Sequence, residues 1–472
     1  MKKDEKKQVF NVSKNEFSKW YTEIIQAAEL ADIRYNVKGF LVFQPWAVKS
    51  MEKMYNYYEK ALQDKGHEPY WFPTVIPKAN FEKEAGHIKG FSPEVFWLKG
   101  VGEQEMALRP TSETAFYQMF ALWIRSYRDL PFKTYQRANV FRYETKATRP
   151  FLRSREFHWI EAHCAHESKQ KAMKQVREDM QTTQEVLHDI FGLPFIFFER
   201  PAWDKFPGAD RTFAADVLNP DGKVVQQPST HLLKQDFAKA FDVKFEDKQG
   251  KEKYPWITCY GPAISRIFAS VIAVHGDDKG LRFPWKIAPL QVVIVPIGNV
   301  IGEADDIKKR LMDKGISVKI DDSDKRPGEK FYYWEMKGVP IRIELGKKEV
   351  QEGKFTIFRR DLDKKQEIDS LDDIEQIGAE IDKNLTEQAD RLFKNKIVDV
   401  SNKDDLKKVV KAGKIARCGF CSLDMDGEQC AEVIEKEIEA EVRGKKLEKE
   451  KAGRCVICGK KAKDIAYIAR SY

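Results

Sequence analysis

The fold is indicated most clearly by residues 133–165, which read KTYQRANVFRYETKATRPFLRSREFHWIEAHCA. Both ends of this stretch alternate between apolar and polar side chains, which predicts antiparallel strands over 133–144 and 155–165, joined by the polar loop 145–154. Alternate residues of a strand share a face, so the second strand carries a face made of Phe157, Trp159, Glu161 and His163. An aromatic wall with a few polar groups is typical of a small-molecule pocket.

Helical periodicity surrounds this hairpin. Apolar residues recur at helical spacing in the segments 48–62, 114–127, 168–191 and 264–274. The turn signal Asn219-Pro-Asp-Gly222 joins two further strands, and an aromatic-rich strand is predicted over 68–75. We therefore predict an α+β domain over residues 1–285, with an antiparallel sheet flanked by helices.

Two smaller domains are predicted after this one. Beyond residues 284–289 the predicted elements are strand 292–296, helix 302–314, strand 318–320, helix 328–336, strand 341–345 and strand 356–359. This alternation indicates an α/β domain over 286–385. Residues 365–415 are charged and read as helical, and the cysteine-rich remainder completes a small α/β domain over 386–472.

The composition indicates a globular protein. Apolar residues make up 42% of the chain, and a formal net charge of +8 permits a polyanionic partner without requiring one. Residues 1–8 are charged and contain no apolar core, so we expect no signal peptide. No apolar run approaches the ~20 residues that span a bilayer. Clustered CxxC pairs favour a reducing compartment, so we expect the cytoplasm and no membrane association.

Several arginines predict an anion site. Arg142 can bridge a carboxylate and an α-phosphate bidentately. Arg149, Arg153 and Arg155 occupy the loop, where they could close over β- and γ-phosphates; an ordinary solvated loop is the alternative. Arg266 lies in the first turns of an apolar helix whose dipole attracts anions. With a Thr and a carboxylate nearby to hold an amine, the set indicates activation of an amino acid by ATP.

A zinc site in this first domain is disfavoured. The candidate ligands are His158, His163, Cys164 and His166. His163 and Cys164 are neighbours on a strand, so they face opposite ways and cannot readily bind one ion. We predict that Cys164 and Cys259 are ordinary buried thiols.

The carboxy-terminal cysteines predict a metal site. Cys418-x-x-Cys421 and Cys455-x-x-Cys458 form two knuckles, and four thiolates on two turns make a closed structural Zn²⁺ site. The alternative is a site that has lost its metal and kept its fold. Cys430, in Gly427-Glu-Gln-Cys430, is a fifth cysteine in this region.

These segments together resemble the motifs of class II aminoacyl-tRNA synthetases. The matching segments are Arg109-Pro-Thr-Ser-Glu-Thr114, Phe141-Arg-Tyr-Glu144 with its basic loop, and the Gly-x-x-x-Ser-Arg266 helix. Helix 48–62 with the strand ending at Pro73 is similar to the dimer-forming motif of that class. The whole chain most closely resembles the prolyl-tRNA synthetases of the archaeal and eukaryotic-like type, which lack an editing insertion; here only residues 167–259 separate the second and third motifs.

The resemblance assigns roles to residues of the first domain. Thr111, Glu113, Arg142, Trp159, Glu161 and His163 would bind proline. Arg142, Glu144, Arg153, Arg266, Gln226, Ser229 and Thr230 would bind ATP, with assignment among Ser229, Thr230 and His231 left open. Arg142 and Arg266 are the expected catalytic residues.

The resemblance also implies the reaction and its partners. The substrate carboxylate would attack ATP, with Mg²⁺ bridging the phosphates, and proline would pass from the adenylate to tRNA(Pro). A homodimer is expected. A pocket for proline cannot strongly reject alanine, since a missing methylene is worth only ~1–3 kcal/mol.

The second and third domains have their own implied roles. Aromatics and cations interleave in residues 325–348, as in single-stranded RNA sites, with buried aromatics and solvated cations as the alternative. By resemblance to the anticodon-binding domain the candidate contacts are Phe331, Glu335, Arg342 and Lys348. Relatives often space the first zinc ligands widely, so four of Cys418, Cys421, Cys430, Cys455 and Cys458 would bind zinc. The terminal Tyr472 would fold back toward the active site.

Three alternatives remain open. A synthetase of the same subgroup for threonine or glycine is the nearest, although threonine enzymes hold zinc in the amino-acid pocket and His163-Cys164 fits that poorly. A catalytically silent, synthetase-like tRNA-binding protein is the second, although loss of Arg142 or Arg266 would be expected there. The third is a zinc-dependent nucleic-acid module.

Overall fold

The computed structural model describes residues 10–87, 95–100, 102, 104–145 and 147–472, without the side chains of 84–87. The amino-terminal residues on which the signal-peptide prediction rests lie outside the described residues, as does Lys146 of the polar loop. No helix in the described ranges combines the length and apolar content needed to cross a bilayer.

The described residues form both α-helices and β-strands in each of the three predicted domains. The α-helices are α1 (Phe17–Ala27), α2 (Pro45–Gln63), α3 (Lys78–His87), α4 (Glu113–Trp123), α5 (Lys169–Thr183), α6 (Asp236–Ala240), α7 (Ile264–His275), α8 (Ile301–Asp313), α9 (Pro327–Met336), α10 (Lys347–Glu352), α11 (Ile374–Lys394), α12 (Lys403–Lys411) and α13 (Glu428–Ile438). The strands of the first domain are β1 (Ala31–Asp32), β2 (Val42–Phe43), β3 (Glu68–Pro69), β4 (Val75–Pro77), β5 (Met106–Leu108), β6 (Phe132–Phe141), β7 (Glu156–His166), β8 (Ile196–Glu199), β9 (Arg211–Leu218), β10 (Lys223–Leu232), β11 (Phe245–Glu246), β12 (Glu252–Lys253) and β13 (Trp256–Gly261). The remaining strands are β14 (Val292–Pro296), β15 (Val318–Ile320), β16 (Ile341–Leu345), β17 (Phe355–Arg359), β18 (Lys364–Ile368), β19 (Ile397–Asp399), β20 (Ile415–Phe420), β21 (Glu441–Gly444) and β22 (Asp464–Ser471).

The first domain is built on a mainly antiparallel sheet, as predicted. β6 pairs with β7 along its whole length, and the order continues through β13, β10, β9 and β8, all antiparallel, while β3 joins β6 in parallel. The helix α7 is almost wholly buried against this sheet. Its apolar residues share one core with α1 and α2, which fixes the basic start of α7 beside the β6–β7 hairpin.

Two local predictions were wrong. The predicted strand 68–75 contains only β3 and the start of β4, because Pro69 and Pro73 cannot donate to a ladder. The strand predicted to run to residue 144 ends at Phe141. Arg142 and Glu144 therefore lie on the loop that leaves the strand rather than on its face.

The second domain contains a five-stranded mixed sheet. Its order is β15-β14-β16-β17-β18, with the first three strands parallel and the last two antiparallel. The predicted elements are present, but β18 was missed because it lies in the stretch that we read as helical. The boundary predicted between 385 and 386 falls inside α11, whose apolar side packs under this sheet.

The carboxy-terminal domain extends the sheet of the first domain. Its strands run in the order β19-β20-β22, with β21 also on β22, and the end of β22 pairs in parallel with β10. Gly222 and Gly413 meet at this junction, both at positive φ. A Cβ built on Gly222 would lie 2.1 Å from the Cα of Gly413, so no larger residue fits there without movement.

Candidate functional site

Two buried carboxylates form the end of a pocket between α4 and β7. Glu161 accepts hydrogen bonds from the Thr111 hydroxyl at 2.8 Å and from the Ser112 amide at 3.0 Å. Thr111 also contacts the carboxylate of Glu113, the first residue of α4. Gln136, opposite Glu161 on β6, donates to its second oxygen at 3.0 Å. The predicted residues Thr111, Glu113 and Glu161 are therefore together, held by a network that the sequence did not reveal.

The charge of this pocket depends on pH. Burial, and after it the negative charge of Glu161, raises the pKa of Glu113 to about 7. The two buried carboxylates share the Thr111 hydroxyl as a hydrogen-bond donor. A cationic ligand would bind favourably beside them, since its positive charge would offset their repulsion. The pocket can therefore accept an ammonium group.

A row of polar side chains crosses the pocket floor on three strands. His163, Cys259 and His231 are consecutive cross-strand neighbours on β7, β13 and β10. The Nδ1 of His163 lies 2.8 Å from the Tyr117 hydroxyl, and burial lowers the pKa of His163 to about 3, so the imidazole is neutral. Glu113, His163 and Cys259 each offer one atom that could bind a metal ion, and these three atoms lie within 4.8 Å of one another.

The two cysteines of this sheet are buried thiols, as predicted. His163 and Cys164 do face opposite ways, since the Cys164 thiol lies 3.4 Å from His67 on the other side of the sheet. Cys259 packs in a core with Phe116 and Phe237, and its sulfur lies 3.9 Å from a carboxylate oxygen of Glu113. The sequence could not reveal this contact, because the register of β13 against β7 depends on the whole sheet.

Arg142 and Arg266 converge at the mouth of this pocket. Their guanidinium carbons lie 5.2 and 5.9 Å from the ring centre of Phe157, and Arg142 also lies 5.7 Å from the ring of Trp159. Arg142 is exposed to the cleft, and its Nε donates to the Pro110 carbonyl at 3.2 Å. Burial, and then the positive charges of Arg142 and Arg153, lower the pKa of Arg266 to about 10. Three cations therefore surround one space.

The three loop arginines have different roles. Arg153 lies 3.6 Å from the carboxylate of Glu144 and donates to a main-chain oxygen of Tyr472 at 3.0 Å. Arg149 stacks on Tyr21 at 4.8 Å, and Arg155 donates to the Glu144 carbonyl and lies over Tyr143. Of the three predicted phosphate ligands, Arg149 and Arg155 therefore brace the loop, and Arg153 is the one that faces Arg266.

The carboxy terminus borders this loop. The Tyr472 hydroxyl donates to Asp221 at 2.6 Å. A cavity of about 780 Å³ opens beside it, and Lys38, Arg149, Arg153 and Lys223 are among its lining residues. The terminal residue thus lies beside the loop that carries Arg149 and Arg153.

β10 borders the cleft, since Arg266 donates to the main-chain oxygen of Gln226 at 3.3 Å. Gln226 and Ser229 flank an irregularity in the pairing of β10 with β9. Ser229 contacts His231 at 3.1 Å on the pocket face. Thr230 points the other way: its hydroxyl is fully buried and donates to Asp179 at 2.6 Å. The side chains of Ser229 and Thr230 therefore lie on opposite faces, as alternation on a strand requires, and the assignment of Thr230 to the ATP site stays a prediction.

The predicted anticodon residues form one cluster and one outlier. Arg342 is buried, donates to Glu335 at 2.6 Å and lies 4.0 Å from the ring centre of Phe331. Lys348 is exposed on α10 and lies 4.0 Å from Glu352. Within the cluster, Phe331 and Glu335 are partly buried, so solvent can reach them, whereas Arg342 is buried. The neighbouring Trp334 is in the core.

Four cysteines converge in the carboxy-terminal domain. The sulfur atoms of Cys421, Cys430, Cys455 and Cys458 lie within 4.8 Å of one another. Cys418 lies outside this cluster, in the interior of β20, with its thiol 3.9 Å from the Ala466 carbonyl. Sulfur atoms at about 2.3 Å from a tetrahedral zinc ion stand about 3.8 Å apart, so the cluster is compatible with zinc.

Three family models match consecutive parts of the chain. The "tRNA synthetase class II core domain (G, H, P, S and T)" matches residues 96–275, and the "Anticodon binding domain" matches residues 291–380. The model "Prolyl-tRNA synthetase, C-terminal" matches residues 403–472. The order of the models is the order of the three domains described above.

Individual proteins match nearly the whole chain. A proline–tRNA ligase of Thermofilum pendens is 45% identical, over 98% of this chain and 99% of the relative, and one of Methanopyrus kandleri is 41% identical, over 97% and 96%. Among solved structures, Giardia lamblia prolyl-tRNA synthetase with prolyl-adenylate superposes with a TM-score of 0.94 at 35% identity, over 98% of this chain and 100% of that one. Cryptosporidium parvum prolyl-tRNA synthetase with halofuginone and AMPPNP gives a TM-score of 0.91 at 30% identity, over 98% and 99%.

Proposed function

The chain belongs to the prolyl-tRNA synthetase family, and we propose that the cleft between Arg142 and Arg266 carries out its reaction. That reaction is the ATP-dependent activation of L-proline to prolyl-adenylate, followed by transfer of proline to the 3′ end of tRNA(Pro). The observation that carries the proposal is the convergence of these two guanidinium groups over Phe157, beside the pocket closed by Glu113 and Glu161.

Proline binds through its ammonium and its ring. The ionised carboxylate of Glu113 and the hydroxyl of Thr111 receive the secondary ammonium, and Glu161 holds Thr111 in place. Trp159 forms the wall against the pyrrolidine ring, and neutral His163 lies on the floor without adding a positive charge. The substrate carboxylate then faces Arg142.

Adenylate formation needs no nucleophile from the protein. An oxygen of the proline carboxylate attacks the α-phosphorus of ATP, and pyrophosphate leaves from the opposite side. Arg142 contacts both the carboxylate and the α-phosphate, so it offsets the charge that develops between them. Arg153 and Arg266 hold the outer phosphates, while Gln226 and Ser229 line the nucleotide side. In the second step the terminal ribose hydroxyl of tRNA attacks the proline carbonyl and AMP leaves.

Mg²⁺ accompanies ATP in this proposal. Glu144 is the carboxylate placed among the cations of the cleft, 3.6 Å from Arg153, so it is the residue that would help to hold the ion. When bound, Mg²⁺ would offset part of the negative charge of the phosphates.

The other domains supply tRNA recognition and a structural metal. Phe331, Glu335, Arg342 and Lys348 contact the anticodon, with Arg342 acting by fixing Glu335 and Phe331. Cys421, Cys430, Cys455 and Cys458 would hold a structural Zn²⁺, and cysteines gathered in this way fit a reducing compartment such as the cytoplasm. The three functional units correspond to the predicted domains 1–285, 286–385 and 386–472, with the second extended to the end of α11 at Lys394.

The active form is a homodimer. Trp71, which follows β3, is 91% exposed. Trp123 is 37% exposed and packs against Tyr70, the residue before Trp71, with ring centres 5.2 Å apart. Large apolar groups exposed together usually mark an interface. Trp71 and Tyr70 belong to the segment that the resemblance identified as the dimer-forming motif, and Trp123 at the end of α4 packs beside it.

Pyrophosphate exchange measured with each of the twenty amino acids tests the function. Exchange should depend on proline and should exceed that with alanine, threonine or glycine. Exchange driven by threonine or glycine would support the other subgroup members. Tight tRNA binding without any exchange would support a silent tRNA-binding protein, and tRNA binding lost on chelation while exchange continues would support a zinc-dependent nucleic-acid module.

A further inference from the structure

Gln226 is held from two directions. Arg200 donates from Nη2 to the side-chain oxygen of Gln226 at 3.0 Å, and Arg266 donates to its main-chain oxygen at 3.3 Å. Because the side-chain oxygen is engaged, the amide nitrogen is the group that Gln226 can offer to a nucleotide. The orientation of this amide therefore depends on Arg200.

Arg200 is itself fixed by Asp216. The two side chains form a forked pair, with Nη2 to Oδ1 at 2.6 Å and Nη1 to Oδ2 at 3.1 Å. Asp216 stands directly opposite Gln226 in the pairing of β9 with β10, and its side chain is completely buried. The fork leaves Arg200 little freedom to turn away from Gln226.

The carboxy-terminal domain supplies the third member of this network. Arg443 donates to Asp216 from Nε at 2.7 Å and from Nη2 at 3.3 Å, and its carbonyl accepts from Arg200 at 2.7 Å. Arg443 sits at an irregularity in the pairing of β21 with β22, between Val442 and Gly444, and such bulges redirect a side chain.

The charges make this network sensitive to the loss of either arginine. Burial works to raise the pKa of Asp216, but Arg200 and Arg443 outweigh it and hold that pKa below its usual range. A buried carboxylate that loses one of two guanidinium partners is left with uncompensated charge. Without Arg443, Asp216 is anchored by Arg200 alone, so the forked pair can shift and Arg200 loses its fixed position against Gln226.

We infer that Arg443 is a positioning residue for ATP binding, acting through Asp216 and Arg200 on the amide of Gln226. The inference rests on the proposed role of Gln226 at the nucleotide. It means that the carboxy-terminal domain contributes to the adenylation step by a route that includes neither the cysteine cluster nor Tyr472.

The test replaces Arg443 in the full-length protein by Met, which keeps length without charge, and by Lys, which keeps charge without the fork. Both should raise the KM for ATP in pyrophosphate exchange by about tenfold, with the KM for proline changed less than about twofold. Arg417→Met is the matched control: Arg417 pairs with Asp399 and Glu450 in the same domain, remote from Gln226, and its loss should leave the KM for ATP unchanged.

A second set of variants separates positioning from general damage. Gln226→Ala should raise the KM for ATP, and adding Arg443→Met to it should cause no further increase. The inference would be overturned if Arg443→Met raised the KM for ATP equally in the wild-type and Gln226→Ala proteins, or if Arg443→Lys left this KM unchanged. An unchanged KM in Gln226→Ala alone would overturn the role of Gln226 and the inference with it. If Arg443→Met does not fold, Arg200→Lys replaces it, and its effect on the KM for ATP is again compared between the wild-type and Gln226→Ala proteins.

Discussion

Arg142 and Arg266 stand far apart in the sequence, yet their guanidinium groups lie over the same ring, that of Phe157, at 5.2 and 5.9 Å. Two neighbouring positive charges repel each other, and the pKa of Arg266 is lowered to about 10 partly by this repulsion. An anion between them removes the repulsion. The charge of the cleft is thus suited to a polyphosphate.

Replacing Arg142 by Ala should lower proline-dependent pyrophosphate exchange by about a hundredfold or more, because the charge that develops at the α-phosphate loses its partner. Filter binding of tRNA should be nearly unchanged, since the anticodon contacts lie in another domain. Arg125→Ala, at an exposed arginine beyond α4, is the control and should retain wild-type exchange. Normal exchange in Arg142→Ala would mean that this arginine does not contact the reacting groups.

The KM for proline should fall about tenfold between pH 6 and pH 8. The pKa of Glu113 is about 7, so the ionised form that holds an ammonium grows from about a tenth to about nine tenths over this range. In the absence of proline, the stability of the protein depends on pH in the opposite direction. The raised pKa of Glu113 adds to the free energy of unfolding in full below the ordinary pKa near 4.5, and this contribution is lost as pH rises through 7. Proline should therefore raise the melting temperature more at pH 8 than at pH 6.

Glu113→Gln should bind proline weakly and with no pH dependence in this range. Asp179→Asn is the control, because burial also raises the pKa of Asp179 to about 7, but this group lies on the opposite face of the sheet with Thr230. Its KM profile should match that of the wild type. If the pH dependence of the KM for proline were lost in Asp179→Asn and kept in Glu113→Gln, the titrating carboxyl would be that of Asp179 rather than that of Glu113.

The sequence predicted well what depends on local pattern. The hairpin β6–β7 and helix α7 follow from alternation and apolar periodicity, and the carboxylates Glu113 and Glu161 follow from the motifs that contain them. The failures depend on tertiary register. The contact of Cys259 with Glu113 was not predicted, because the neighbours of a strand cannot be read from its own sequence. Arg443, buried against Asp216, gave no signal at all.

Deleting Ser471 and Tyr472 should reduce proline activation, mainly by raising the KM for ATP. Arg153 loses its contact with the terminal main-chain oxygen, and Arg149 loses the ring it stacks near, so the loop becomes more mobile. Tyr472→Phe should be milder, because it removes only the hydroxyl that reaches Asp221. Exchange kinetics of the three proteins provide the comparison, and wild-type rates in the truncated protein would refute a role for the terminus.

The cysteine cluster predicts which thiols matter for zinc. Elemental analysis should find about one zinc per chain in the wild type and in Cys418→Ser, and clearly less in Cys430→Ser. Because structural zinc stabilises the folded state, Cys430→Ser should also melt at a lower temperature. Cys418 is a fair control, since it lies in the same domain and is more buried than Cys430. Loss of zinc in Cys418→Ser with retention in Cys430→Ser would reverse the assignment.

Trp71→Glu should shift the protein from dimer to monomer. Trp71 is 91% exposed, and a charge at the centre of an apolar interface costs more free energy than one that stays in water. The control is Leu392→Glu, which places the same charge on an exposed apolar residue of α11, 65% exposed and outside the segment between β3 and β4. Sedimentation velocity at several concentrations would distinguish the two variants. If Trp71→Glu remained dimeric while the wild type was also dimeric, the interface would have to lie on another surface; if the two variants dissociated equally, the effect would be one of charge rather than of position.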